Sequence, residues 1–335
     1  REKGARERIT ANAFEEVSVD HLESIITFCE RRGYEFVSLD QLQSVLRDGN
    51  RPQRKFICIT FDDGYASTRE LAYPVLKAHG VPFTAYIAPG LLDPSGLVWW
   101  YALEDLLLRH RVVRTEVDGV KYEVAARTTV EKEAAFFTVT DLLLHMDQRR
   151  VKPFLTRLFE QHGIDPRTYV RRYMLSWEQV DELAADPLVT IGAHTLDHPN
   201  LSRLSAEAVV HQMRQSRRIL ESRTGRPVCH FAYPFGDRGT TGPREHVLAA
   251  RCGFHTAVTT TQGNVDAAYA GRLTALPRVD VAGTEGAGMS RFEFAMSGLR
   301  SGILRGARGA AAGWAPALPV EVGNASQSAQ SARAR

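Results

Sequence analysis

The stretch that most constrains this chain is Phe56-Ile57-Cys58-Ile59-Thr60-Phe61-Asp62-Asp63-Gly64-Tyr65. A β-branched and aromatic run broken by glycine predicts a core strand that ends in a turn. Two adjacent carboxylates at the end of a buried strand are costly unless something binds them. Successive side chains on an extended backbone point to opposite sides, so the two aspartates can divide labour, one gripping a cation and one reaching a water. A solvated Asp-Asp-Gly turn would leave the same signature.

A second stretch changes the balance: Val189-Thr190-Ile191-Gly192-Ala193-His194-Thr195-Leu196-Asp197-His198-Pro199-Asn200. It too starts as a strand and ends in a polar turn, here flanked by two imidazoles, the commonest transition-metal ligands. Pro199 disfavours helical backbone at His198, so the spacing is that of a loop folding back and not of one helix face. Taken alone, the two histidines fit an ordinary surface loop equally well. Together with the strand-end aspartates they supply a His-His-Asp set, which suits Zn²⁺ or a similar divalent ion (Co²⁺, Ni²⁺, Mn²⁺) with a position left for water.

These residues resemble the NodB-homology polysaccharide deacetylases, carbohydrate esterase family 4, which carry TFDDG, then H-[ST]-x-x-H, then R-x-P-[YF]-G in this order. The chain has Thr60-Phe61-Asp62-Asp63-Gly64, His194-Thr195-Leu196-Asp197-His198 and Ala232-Tyr233-Pro234-Phe235-Gly236, the first two complete. The resemblance spans roughly residues 20–300, with an interruption over about 97–175.

The composition fits a globular protein with a large core: 335 residues, 44% hydrophobic and 24% charged. A net charge of +3 with basic and acidic residues interleaved predicts no nucleic-acid partner. The four cysteines lie far apart and form no CxxC, which predicts reduced core thiols. No apolar run is long enough for a targeting region or a transmembrane segment. A cytoplasmic location is the expectation; a signal peptide upstream of Arg1 would make the chain exported or periplasmic instead.

Along the chain, Ser18 to Arg31 shows helical spacing with Gly33 as C-cap, and Ser38-Leu39-Asp40 starts a helix through Leu46. A helix from Tyr65 to His79 and a strand Val81 to Ile87 follow the aspartate turn, completing a right-handed parallel unit. Between residues 97 and 175 the pattern departs, with a helix from Trp99, a hairpin arm at Gly119 to Val124 and helices at Thr140 to His145 and Lys152 to His162. Such an insertion at a barrel mouth would serve as lid or substrate wall, its Trp99-Trp100 pair chiefly as packing. Ser176 and Gln179 form a capping box, and helices Ser205 to Arg223 and Pro243 to Cys252 alternate with strands Cys229 to Tyr233, His255 to Thr260 and Leu273 to Leu276. A last helix covers Arg291 to Leu299. This alternation predicts an α/β fold, an irregular (β/α) barrel of about seven strands as in the family it resembles. Residues 1–302 form the expected deacetylase domain, and 303–335 a disordered tail.

The resemblance implies metal-assisted deacylation of an acetylated glycan or lipid-linked sugar. Asp63, His194 and His198 hold the metal and its water, Asp62 acts as general base, and the backbone N–H of Phe235 stabilises the oxyanion. Two departures stand out. The family's arginine in the third motif is Ala232 here, and the family's late Leu-x-His, source of the general acid, is Leu276-Pro277-Arg278. Arg278 is therefore expected beside Asp62, restoring a guanidinium from another strand, although an arginine does not give up its proton. Hydrolysis of a non-sugar amide at the same centre and glycan binding without cleavage are the competing functions.

Overall fold

The computed structural model describes residues 8–48, 55–117, 119–285 and 289–297. The expected C-terminal tail lies outside the described residues. The strands are β1 (Glu35–Phe36), β2 (Phe56–Ile57), β3 (Ile59–Phe61), β4 (Phe83–Ile87), β5 (Val112–Val117), β6 (Val120–Ala125), β7 (Val189–Ala193), β8 (His230–Ala232), β9 (Thr256–Gln262) and β10 (Leu276–Arg278). Six of them, in the order β10-β9-β8-β7-β4-β3, make one all-parallel sheet. β1 pairs in parallel with β2, and β2 runs into β3 after Cys58. This is the expected irregular barrel: counting β2 and β3 as one extended segment, its parallel strands are β1, β2/β3, β4, β7, β8, β9 and β10, and among the described residues no ladder joins β10 to β1.

Both faces of the sheet are covered, which is why its strands read as near-continuous apolar runs. Inside the curl, Tyr86, Ala232, Val258 and Leu276 pack against Leu39, Leu42 and Leu46 of helix Leu39–Asp48. Their neighbours Ala85, Ile87, Phe231, Tyr233 and Ala257 belong to the larger core under the outer helices, the period of two expected of strands. Gly192 on β7 makes room for the Tyr86 ring of adjacent β4; a Cβ there would lie 2.4 Å from Tyr86 Cδ1.

Several elements differ from the sequence reading for local reasons. The helix after the aspartate turn starts with α-helical Ala66 and Ser67, widens to a π-helix over Thr68–Ala72 and returns to α-helix at Tyr73–Ala78. Pro74 has no N–H to give the Glu70 carbonyl, and Tyr73 N–H bonds instead to the Thr68 carbonyl, the wider ring. Helix Thr129–His145 starts a full three turns before the expected Thr140, nucleated by a capping box between Thr128 and Glu131. The last strand is β10, because Leu273–Ala275 forms a 3₁₀ turn.

The segment between residues 97 and 175 shares the main core. Ala102, Leu103, Leu106 and Leu107 of helix Trp99–Arg109 are fully buried in the same cluster as Phe83 and Ile87. The antiparallel hairpin β5-β6 and helices Thr129–His145 and Gln148–Gln161 complete it. The N-terminal segment straps the molecule together. At one end Arg8 Nε and Ile9 N–H donate to Glu104 Oε1 (2.6 and 2.9 Å), and Asn12 Nδ2 donates to the Trp100 carbonyl (3.0 Å). At the other end Ser18 N–H donates to Glu285 (3.1 Å), and His21 bonds to Thr284 (2.9 Å). All four cysteines are free thiols, and burial pushes those of Cys29 and Cys58 up to about 12. Among the described residues no helix is long and apolar enough to cross a membrane.

Candidate metal centre and active site

In a parallel barrel the strand C-termini share one rim, and loops there gather residues distant in sequence. Asp62 and Asp63 follow β3, His194 follows β7, and the Tyr233–Gly236 turn follows β8. Asp63, His194 and His198 come together so that one ligand atom from each lies within 4.8 Å of the others. Nε2 of His194 and Nε2 of His198 both stand 3.2 Å from Asp63 Oδ1.

The surroundings fix how these groups face. His194 Nδ1–H donates to the Ala232 carbonyl (2.8 Å), which leaves the Nε2 lone pair turned to Asp63. The backbone N–H of His198 donates to Thr195 Oγ1 (3.0 Å), whose own hydroxyl donates to the His194 carbonyl. Behind the loop, Gln212 Oε1 accepts from Leu196 and Asp197 N–H (2.9 and 3.0 Å) and its amide donates to Asp197 Oδ2 (3.0 Å). Gly90 packs so close that a Cβ would come within 2.5 Å of Asp197 Oδ1. The rings of Trp100 and Phe235 flank His198 with centroids at 5.5 and 4.8 Å.

Backbone strain concentrates here. Asp63, Thr195, His198 and Phe235 have φ of 70°, 63°, 57° and 60°, and among the described residues these are the non-glycine positions in the left-handed region. Each costs on the order of 1–3 kcal/mol and persists only where surrounding contacts impose it. At Phe235 those contacts include Thr260 Oγ1 donating to its carbonyl (2.7 Å).

Asp62 points away from the cluster, to Arg278. Arg278 Nη1 and Nη2 donate to Asp62 Oδ1 and Oδ2, both at 2.7 Å, while Nη1 also reaches Thr60 Oγ1 (3.3 Å) and Nε the Thr259 carbonyl (3.0 Å). Burial raises the Asp62 carboxyl, but the Arg278 charge and hydrogen bonds outweigh it and hold Asp62 below the ordinary carboxylate value. Burial likewise opposes ionisation of Asp63, and the two imidazoles overcome it and hold Asp63 below the ordinary carboxylate value as well. His194 is raised in turn: burial lowers it, and Asp63 and Asp62 more than compensate.

Two imidazole nitrogens and a carboxylate oxygen, with one ring orientation locked by a backbone carbonyl, form a donor set that fits a divalent cation. A carboxylate ion-paired to arginine stands beside it. The structure thus brings together all the sequence-picked side chains: Asp63, His194 and His198 in the cluster, Asp62 and Arg278 beside it, and Phe235 against His198. The Phe235 N–H has no acceptor among the described residues. Sequence reasoning missed Trp100, Gln212 and the Ala232 carbonyl. Trp100 comes from the insertion, where nothing in the sequence ties it to the histidine loop, and a backbone carbonyl leaves no mark on residue identity.

The family model described as "Polysaccharide deacetylase" matches residues 49–121 and 130–256, and the chain belongs to that family. YxkH of Bacillus subtilis (strain 168), named for the same family, is 32% identical over 65 residues, a match covering 19% of this chain and 23% of that protein. The fold is similar to that of the Streptococcus pyogenes deacetylase PplD, solved in complex with acetate (19% identity, TM-score 0.50, covering 78% of this chain and 80% of that one). It is also similar to that of a de-N-acetylase from Aggregatibacter actinomycetemcomitans (16% identity, TM-score 0.50, 82% and 89%).

Proposed function

We propose that this chain is a metal-dependent deacetylase that removes N-acetyl or O-acetyl groups from a polysaccharide or lipid-linked sugar. The observation that carries the reading is the separation of roles at the rim: Asp63, His194 and His198 converge, while adjacent Asp62 is held apart by Arg278 at 2.7 Å. Asp63, His194 and His198 would hold the ion, Zn²⁺ by preference for such a set, with Co²⁺, Ni²⁺ or Mn²⁺ also accepted. Bound there, a divalent ion supplies Lewis acidity toward the acetyl carbonyl and the attacking water.

Asp62 takes the proton from water as its oxygen adds to the acyl carbon, and its lowered pKa keeps it ionised for that task near neutral pH. The free N–H of Phe235 faces the developing oxyanion. As the carbon–nitrogen or carbon–oxygen bond breaks, Asp62 returns the proton to the leaving amine or alcohol, because Arg278 stays charged throughout. Acetate and the deacetylated sugar result.

Acetate release from acetylated chito-oligosaccharides tests the reading. Chelation and Asp62→Asn should each cut the rate by about 10²-fold or more. Undiminished release in either case, or faster cleavage of a non-sugar amide, would overturn it.

A further inference from the structure

The sheet's outer layer is open at one place beside the proposed active site. Helix Ala206–Thr224 connects β7 to β8, and helix Pro243–Arg251 connects β8 to β9, but the link from β9 to β10 has only the 3₁₀ turns Ala267–Tyr269 and Leu273–Ala275. What remains is a crevice of about 410 Å³, lined among others by Arg238, Thr241, His246, Tyr269, Arg272 and Pro277. That volume is in the range of small-molecule sites and suits about one substituted sugar ring.

The crevice and the metal cluster share two pieces of chain. Phe235 stands against His198 while its neighbour Gly236 lines the crevice, and Arg278 grips Asp62 while its neighbour Pro277 lines the crevice. A polymer presenting an acetyl group at the cluster can therefore continue over the rim at Gly236. The turn lies tight against β9 at that point: a Cβ on Gly236 would lie 2.7 Å from Thr260 N.

The chemistry of the lining is cationic and hydroxyl-rich. Arg238 and Arg272 are exposed and have no ion pair among the described residues; the Arg272 guanidinium lies over the Tyr269 ring at 4.9 Å. The lining also holds one acid, Asp237, whose Oδ1 accepts from Gly239 N–H (2.7 Å), Thr240 N–H (3.0 Å) and the Thr240 hydroxyl (3.1 Å). Burial lowers His246 against the opposing pull of Glu245, so the positive charge comes from the two arginines. Thr241 Oγ1 and His246 Nε2 are buried and find no hydrogen-bond partner within the protein, the kind of polar atom a native structure leaves unpaired for a reason.

We propose that this crevice is a subsite for a sugar residue bearing an anionic group, carboxylate or phosphate, of the same polymer whose acetyl group is removed at the metal cluster. It rests on the deacetylase reading. Arg238 and Arg272 clamp the anion through charge-assisted hydrogen bonds, and Tyr269, beneath the Arg272 guanidinium, holds that arginine at the crevice wall.

The test compares three N-acetylated oligosaccharides of equal length, one with a uronate, one with a phosphate monoester and one neutral, on the full chain. Acetate release should show KM about tenfold lower for an anionic substrate than for the neutral one, with similar kcat, and the advantage should shrink with salt. The double variant Arg238→Ala, Arg272→Ala should erase the advantage, raising KM for the anionic substrate to that of the neutral one. Which anionic substrate gains identifies the group as carboxylate or phosphate. Equal KM for all three, or an advantage that survives the double variant, overturns the subsite while acetate release itself upholds the deacetylase reading. Equilibrium binding separates the opposite case: arginine-dependent preference for an anionic oligosaccharide without acetate release keeps the subsite and sinks the deacetylase reading.

Discussion

Arg278 holds both carboxylate oxygens of Asp62 at 2.7 Å from across the sheet, β10 to the end of β3. The arginine that the third motif of the family would supply is Ala232 here, so the guanidinium beside Asp62 comes from a different strand, at the position where the family has histidine.

Arg278→Ala should lower acetate release by about 10- to 100-fold. The sign of the pH effect follows from the pair. Arg278 keeps the Asp62 pKa low, so removing it moves the acid-side limb of the rate profile to higher pH. Arg278→Lys should recover part of the rate but not the two-pronged grip. A rate and acid limb equal to the parent's would show that the pair is ornamental.

Metal binding should be visible without turnover. Zn²⁺ at a hundredfold excess over its dissociation constant stabilises the folded chain by ~2.7 kcal/mol, read as a rise in thermal midpoint. His194→Ala, His198→Ala and Asp63→Ala should abolish the rise, whereas Asp62→Asn should keep it. A rise that persists in the three ligand variants would place the ion elsewhere.

Gly192→Ala should destabilise the fold by about 1–3 kcal/mol, because the new methyl meets the Tyr86 ring at 2.4 Å. Tyr86→Leu vacates that space, so the two changes together should cost less than their sum in urea unfolding. Strict additivity would mean that the ring is not what excludes the side chain.

Asp186 provides a pH test remote from the metal. Its carboxylate accepts from Leu188 N–H (2.9 Å), the Tyr73 hydroxyl (2.7 Å) and Lys77 (2.9 Å), and in that order of influence they bring its pKa down from 3.8 to about 2. A depressed carboxylate stabilises the fold above its unfolded pKa and loses that contribution as pH falls through the folded one. The stability gap between the parent and Asp186→Asn should therefore be largest above about pH 4 and close toward about pH 2. A gap independent of pH would assign the role to shape and not to charge.

Much of this was legible in the sequence because strand ends in parallel sheets carry both a hydrophobic signature and a polar terminus. Thr60 to Gly64 and His194 to His198 announce themselves through unusual residue types in otherwise apolar surroundings. Elements set by the backbone were harder to read. The π-helical turn follows from the missing N–H of Pro74, an effect that residue periodicity does not encode. Leu273–Ala275 looks like a strand by composition, yet the ladder to β9 begins only at Leu276. Trp100 reaches His198 through packing of the whole insertion, a long-range relation with no local pattern.

The left-handed backbone at Asp63, Thr195, His198 and Phe235 has a consequence for any attempt to make this chain sturdier. At these four places glycine is what the main chain would prefer, and the chemistry demands something else. Screening for heat resistance alone would drift toward replacements that relax the loops and silence the catalyst, so selection for endurance must be paired with selection for turnover.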